Sequence, residues 1–147
     1  MLERSDWADL IPHKGTMCLL DAVLAHDARC IHAISATHAS PDNPLRSDGR
    51  LHALSLCEYG AQAMAVHGAL LARARGGRAQ PGYLVSLREV ELRVEYTDDL
   101  RGTLDVHAEQ LLDSGESLQY AFRVEYEGRL LASGRAAVLT KRGGPQQ

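Results

Sequence analysis

The 147-residue sequence predicts an α+β fold, a single domain in which one long central apolar helix is wrapped by a twisted antiparallel sheet. Three observations predict it. Residues 51–72, LHALSLCEYGAQAMAVHGALLA, are almost wholly apolar and too long for a strand, with one formal charge, Glu58. From Tyr83 onward the apolar period becomes two, the mark of strands with one wet face. Short clusters of Gly, Asp and Ser punctuate that second half, so its strands are hairpin neighbours.

Taken in order, residues 5–11, SDWADLI, read as a short helical turn capped by Ser5, with Trp7, Leu10 and Ile11 on one side and Pro12 as its stop. Met17–Leu24 is a hydrophobic run. Cys30–Ala36 alternates, with Cys30, His32 and Ile34 set against Ile31, Ala33 and Ser35; the two segments form a strand pair across the polar turn AHDA (25–28). Residues 39–50, ASPDNPLRSDGR, are loop by composition. The long helix follows and stops at Gly76-Gly77, where a left-handed cap favours glycine. Val90, Leu92, Val94 and Tyr96 then alternate with Glu89, Glu91, Arg93 and Glu95, and Leu104, Val106 and Ala108 with Asp105, His107 and Glu109. Leu118 to Tyr126 is a third such strand, DSGE (113–116) and EYEG (125–128) supply turns, and Arg129 to Thr140 is the last strand. The domain is expected to span 1–142, with 143–147 a disordered tail.

An apolar content of 45% with 24% charged residues belongs to a soluble globular protein, and a net charge of −3 argues against nucleic acid as a partner. The opening MLERSDWADL lacks the apolar stretch of a signal peptide. Residues 51–72 are long enough to raise a membrane span, but they carry Glu58, Gln62, His52, His67 and Ser55 and much alanine, which suits a buried helix. Three cysteines without C-x-x-C spacing read as small buried hydrophobes in a reducing cytoplasm. Seven scattered histidines indicate no metal site; no phosphate-binding glycine pattern appears and no cofactor is expected. Neither Cys57 nor Ser55 has the setting of a nucleophile.

A lone carboxylate in an apolar helix is costly unless it is paired, protonated or kept for chemistry. Burial of Glu58 against Leu54, Leu56 and Ala61 would make it an effective general acid or base. Gln62, at i+4, is expected on the same face, where its amide can orient the carboxyl, and Ser55, at i−3, can do likewise. The plainer alternative is a structural ion pair with Arg46 or Arg50. The functional reading requires the carboxyl to face a cavity, beside free amides where the helix begins.

Two strings, IPHKGTMCLLD (11–21) and EYGAQ (58–62), in this order and with these strands after them, resemble the hotdog-fold (3R)-hydroxyacyl-ACP dehydratases, FabZ-like ones in particular. The likeness covers nearly the whole chain. NPL and DGR within the loop are similar to a divergent branch, the ApeP-like dehydratases of aryl-polyene-type pathways. The resemblance implies a single hotdog domain that dehydrates 3-hydroxyacyl thioesters of an acyl carrier protein to trans-2-enoyl thioesters, in fatty-acid or polyene synthesis. It carries a proton-transfer role onto Glu58. It also exposes a departure, since the position of the family's catalytic histidine is here Pro44.

His13, in the segment that packs near the mouth of the family's site, is a candidate second catalytic group or a structural histidine. Asn43 can orient substrate or water, or simply shape the turn before Pro44; His38 is a poorer candidate. The family's oxyanion donor corresponds to the Ala53 amide in the first turn, and His52 can add a donor or serve as a cap. The family places the site between two subunits, which implies a homodimer or higher homo-oligomer. The cluster RARGGR (73–78) can dock an acidic carrier, or can just complement the helix C-terminus. A hotdog thioesterase and a catalytically silent acyl-binding or partner subunit are the other readings.

Overall fold

The computed structural model describes residues 1–77 and 82–140; the expected tail at 143–147 lies outside them. Seven strands form one antiparallel sheet: β1 (Leu2–Glu3), β2 (Ala22–His26), β3 (Cys30–Ser35), β4 (Gly82–Leu92), β5 (Leu104–Asp113), β6 (Ser117–Tyr126) and β7 (Arg129–Thr140). Their order across the sheet is β1-β2-β3-β5-β6-β7-β4. One long helix, α1 (Leu56–Ala74), crosses it and packs on β3, β5, β6 and β7. This is the expected helix wrapped by a sheet.

The core follows from the two periods. Tyr59, Ala63, Val66 and Leu70 recur at helical spacing and are buried. They face Ile31, Ala33, Val106, Ala108, Tyr120, Phe122 and Val124, which alternate along the strands. Gly76 ends the helix with φ 79°, and the amide of Gly77 returns to the Ala72 carbonyl at 3.0 Å, the cap that the sequence predicts.

Three local expectations fail in part; the strand expected to run to Tyr96 ends at Leu92, and Tyr96 makes only an isolated bridge to His52. The N-terminal helical turn is split into two 3₁₀ turns, Arg4–Asp6 and Ala8–Leu10, and its cap is Glu3 rather than Ser5. The Asp6 carboxylate accepts the Glu3 amide at 2.9 Å, which a serine inside the turn cannot do. The run Met17–Leu24 is only partly strand. Met17 closes a 3₁₀ turn, Cys18–Leu20 are buried without sheet pairing, and β2 begins at Ala22. Apolar character there reflects packing beneath the helix.

Phe122 sets the contact between helix and sheet. A Cβ on Gly60 of α1 would lie 2.5 Å from its Cδ2, and one on Gly134 of β7 would lie 2.9 Å from its Cε1. The ring therefore fills a slot bounded by two glycines. Gly60→Ala gains about 1 kcal/mol of helix propensity but overpacks this slot at about 1–3 kcal/mol. We expect a lowered urea midpoint, restored in part by adding Phe122→Leu.

A buried polar chain ties the far half of α1 to the β2–β3 turn. His67 is fully buried; its Nε2 donates to the Asp27 carbonyl (2.9 Å), so Nδ1 accepts from the Tyr120 hydroxyl (2.8 Å). Gln110 Nε2 in turn donates to that hydroxyl at 3.2 Å. Burial pushes the Tyr120 phenol up to about 12. Burial also pushes His67 and His38 below the ordinary histidine range, so both fold as neutral rings. The unfolded chain binds protons at these histidines from about pH 6.5 downward and the folded chain does not, so stability falls as pH drops through that value. A thermal midpoint that declines between pH 7.5 and 5 is expected; one that rises across that interval contradicts it.

Among the described residues no helix is long and apolar enough to cross a membrane. Strand β4 lies at the sheet edge and leaves Leu84 and Val85 54% and Leu87 39% exposed.

Candidate functional site

The first two turns of α1 carry EYGAQ (58–62), and the fold assigns each of these residues a separate direction. Tyr59 points inward and is fully buried. Thr37 Oγ1 gives its proton to the Leu19 carbonyl at 2.8 Å, so the Tyr59 hydroxyl donates to Thr37 (2.8 Å) and accepts from Asn43 Nδ2 (3.0 Å). Burial pushes this phenol up as well. Gly60 admits the Phe122 ring. Gln62 is fully buried; its Oε1 accepts the Leu19 amide at 2.8 Å and its Nε2 donates to the Met17 carbonyl at 2.6 Å. The expectation that Gln62 holds the Glu58 carboxyl is therefore corrected, because both ends of its amide grip the N-terminal segment.

Glu58 is left over. It is exposed on the single chain, which corrects the expected burial; of its expected neighbours, Leu56 is fully buried but Leu54 is 56% exposed. Among the described residues it makes no hydrogen bond and no ion pair. The structural alternative for it fails. Arg46 donates to the carbonyls of Ser40 and Gly49, while Arg50 pairs with Asp98 at 3.0 Å and lies 4.1 Å over the Tyr96 ring. Among the described residues, two clefts of about 580 and 430 Å³ open on the chain, and Glu58 lines neither, so neither is the cavity that the functional reading requires in front of it.

The other nominated residues fall as follows. Asn43 is buried, and both ends of its amide are engaged: Nδ2 donates to the Thr37 carbonyl and to Tyr59, and Oδ1 accepts the Leu45 amide. It clasps the loop before Pro44 onto α1, with both amide hydrogens committed. The Ala53 amide, expected as an oxyanion donor, is already given to the Glu95 carbonyl at 2.8 Å. His52 accepts the Leu54 amide through Nδ1 at 3.0 Å and so is a cap. His13 is half-buried with its Nδ1 enclosed and unpartnered, and no hydrogen bond links it to Glu58. His38 is fully buried, its Nε2 donating to the Leu100 carbonyl.

Arg73 donates to the Asp6 carbonyl at 2.8 Å, Arg75 is exposed, and Arg78 lies outside the described residues. Burial first, and then the adjacent Glu58 carboxylate, push the Cys57 thiol up, which disfavours it as a nucleophile. Among the described residues no three His, Cys, Asp or Glu side chains are grouped to hold a metal ion. Sequence reasoning missed Tyr59 and Thr37. The available signal was a tyrosine within an apolar helix, since a buried phenol needs a partner.

Comparison with known proteins places this arrangement. A family model described as ApeP dehydratase, ApeP-like, matches residues 5–146. The chain belongs to the ApeP-like dehydratase family. Among solved structures, the dehydratase heterocomplex ApeI:P from Xenorhabdus doucetiae superposes with a TM-score of 0.80 at 23% identity, covering 94% of this chain and 90% of that one. AziG from S. sahachiroi gives 0.55 at 18% identity, over 82% of this chain and 90% of its own. A hypothetical thioesterase protein with coenzyme A from Streptococcus pneumoniae gives 0.60 at 11% identity, over 82% and 84%. These likenesses establish the hotdog fold, as the sequence resemblance implied. No curated protein sequence matches the chain. Among the described residues of this ApeP-like dehydratase, Glu58 is the polar side chain of the EYGAQ motif that makes no hydrogen bond or ion pair.

Proposed function

We propose that the chain is a dehydratase subunit that converts 3-hydroxyacyl thioesters of an acyl carrier protein to trans-2-enoyl thioesters, with Glu58 as the proton-transfer group. One observation carries it. Glu58 is the only formal charge in residues 51–72, and every other residue of its motif with polar groups or close contacts is consumed by packing, whereas its own carboxyl has no partner among the described residues. The carboxylate takes a proton from C2 of the acyl chain; the C3–oxygen bond breaks as the C2–C3 double bond forms. The same carboxyl then returns that proton to the departing hydroxyl, releasing water. His13, with its unpartnered nitrogen, is proposed at the mouth as a second polar group. Asn43 and Gln62 hold the walls.

A second hotdog subunit completes the site by covering Leu54 and Glu58 and pairing with the apolar β4 edge. A second copy of this chain supplies it in a homodimer; the related ApeI:P structure is a heterocomplex, so a companion hotdog chain is the other source. Native mass spectrometry of the purified chain separates the two. The reaction is tested by incubating it, alone and with such a companion, with 3-hydroxyacyl- and enoyl-carrier thioesters. Interconversion with loss or gain of water is expected. Release of free thiol instead would move the assignment to a thioesterase, and neither activity would leave an acyl-binding subunit.

A further inference from the structure

The amides that open the helical segment are all spent. Ala53 N–H goes to the Glu95 carbonyl, Leu54 N–H to His52 Nδ1, Ser55 N–H to the His52 carbonyl and Leu56 N–H to the Ala53 carbonyl. A thioester oxygen that gains negative charge here finds no free donor among these four amides. The cap itself creates a replacement. A neutral imidazole carries one proton, and with Nδ1 accepting the Leu54 amide that proton must sit on Nε2.

His52 is exposed, so this N–H is available to a ligand. The ring is also held in one orientation. Tyr96 meets it edge-on at 5.7 Å and 83°, the two residues share an isolated β-bridge, and the Arg50 guanidinium lies 4.1 Å over the Tyr96 ring while pairing with Asp98. A cap alone needs none of this bracing, and serine, aspartate or asparagine would cap better. Leu54, whose amide the ring accepts, precedes Glu58 by four residues, and His52, Leu54 and Glu58 are all exposed.

We infer that the Nε2–H of His52 is the hydrogen-bond donor to the thioester oxygen, in place of the backbone amide that this chain has committed to Glu95. The inference rests on the dehydratase reading of Glu58. As Glu58 removes the C2 proton, charge grows on the thioester oxygen, and a fixed donor there lowers the barrier without giving up its proton. The proton on Glu58 leaves in the water molecule, so the imidazole ends the cycle unchanged.

Two measurements test it. Long-range ¹H–¹⁵N correlation of the imidazoles should show His52 as the Nε2–H tautomer; the Nδ1–H tautomer overturns the inference. His52→Asp keeps a good cap and carries no hydrogen-bond donor, and kcat should fall about 100- to 1000-fold with KM within a few-fold and the thermal midpoint not lowered. His52→Ser, whose short hydroxyl does not extend to the position of the ring Nε2, serves the same purpose should the aspartate variant misfold. Wild-type kcat in either folded variant sinks the assignment. Glu58→Gln, assayed beside them, keeps the failures apart. If it is inactive while the His52 variants turn over normally, only the His52 role is wrong; if it is active, or the wild type does not dehydrate, the underlying reading is wrong.

Discussion

Glu58→Gln should lower kcat for dehydration by about 10²- to 10⁴-fold while leaving the unfolding midpoint where it was. The two halves of this result have one cause. The carboxyl touches no partner among the described residues and is exposed, so an isosteric amide costs the fold little, about 0.5 kcal/mol or less in either direction. An amide cannot take a proton from carbon, so turnover goes with the charge. Steady-state rates on a 3-hydroxyacyl-carrier thioester together with a urea titration decide it. Near wild-type turnover in the variant would remove Glu58 from the chemistry.

Gln62→Leu should show the opposite pattern, losing stability by about 2–4 kcal/mol while activity, assayed well below the lowered midpoint, stays within about tenfold. Leucine matches the volume but abandons the Leu19 amide, which is buried, and the Met17 carbonyl, which lies nearer solvent. The first loss carries the full cost of an unpaired buried donor; water can meet part of the second. A chemical-denaturation curve with the midpoint moved and the slope kept checks the prediction. Selective loss of kcat in a fully folded variant would mean that Gln62 does reach the reacting groups.

Much of the fold was legible because period is a direct record of burial. Helix α1 and the strands β5, β6 and β7 fall where the apolar spacing places them, within a residue or two at most ends. Met17–Leu24 misled because a run of apolar residues records burial without recording which neighbour buries it; here a helix side chain takes the Leu19 amide that a strand would have paired. The Ala53 amide was lost to a pairing with Glu95, a partner distant in sequence that no local pattern announces. Glu58 was legible as an oddity but not as an exposed one. An apolar helix looks the same in sequence whether its own sheet or a second subunit covers it, and the 54–58 surface is open on one chain.

The Phe122 slot bears on the acid at a distance. Successive helix residues are about 100° apart around the axis, and Gly60 follows Glu58 by two positions. Because the chain's single phenylalanine locks into the notch at Gly60, the azimuth of the whole helix is indexed from the sheet side, and the heading of the carboxylate is set by a ring it never meets. Variants that reshape this notch should therefore swing the acid off its bearing before they unfold the chain.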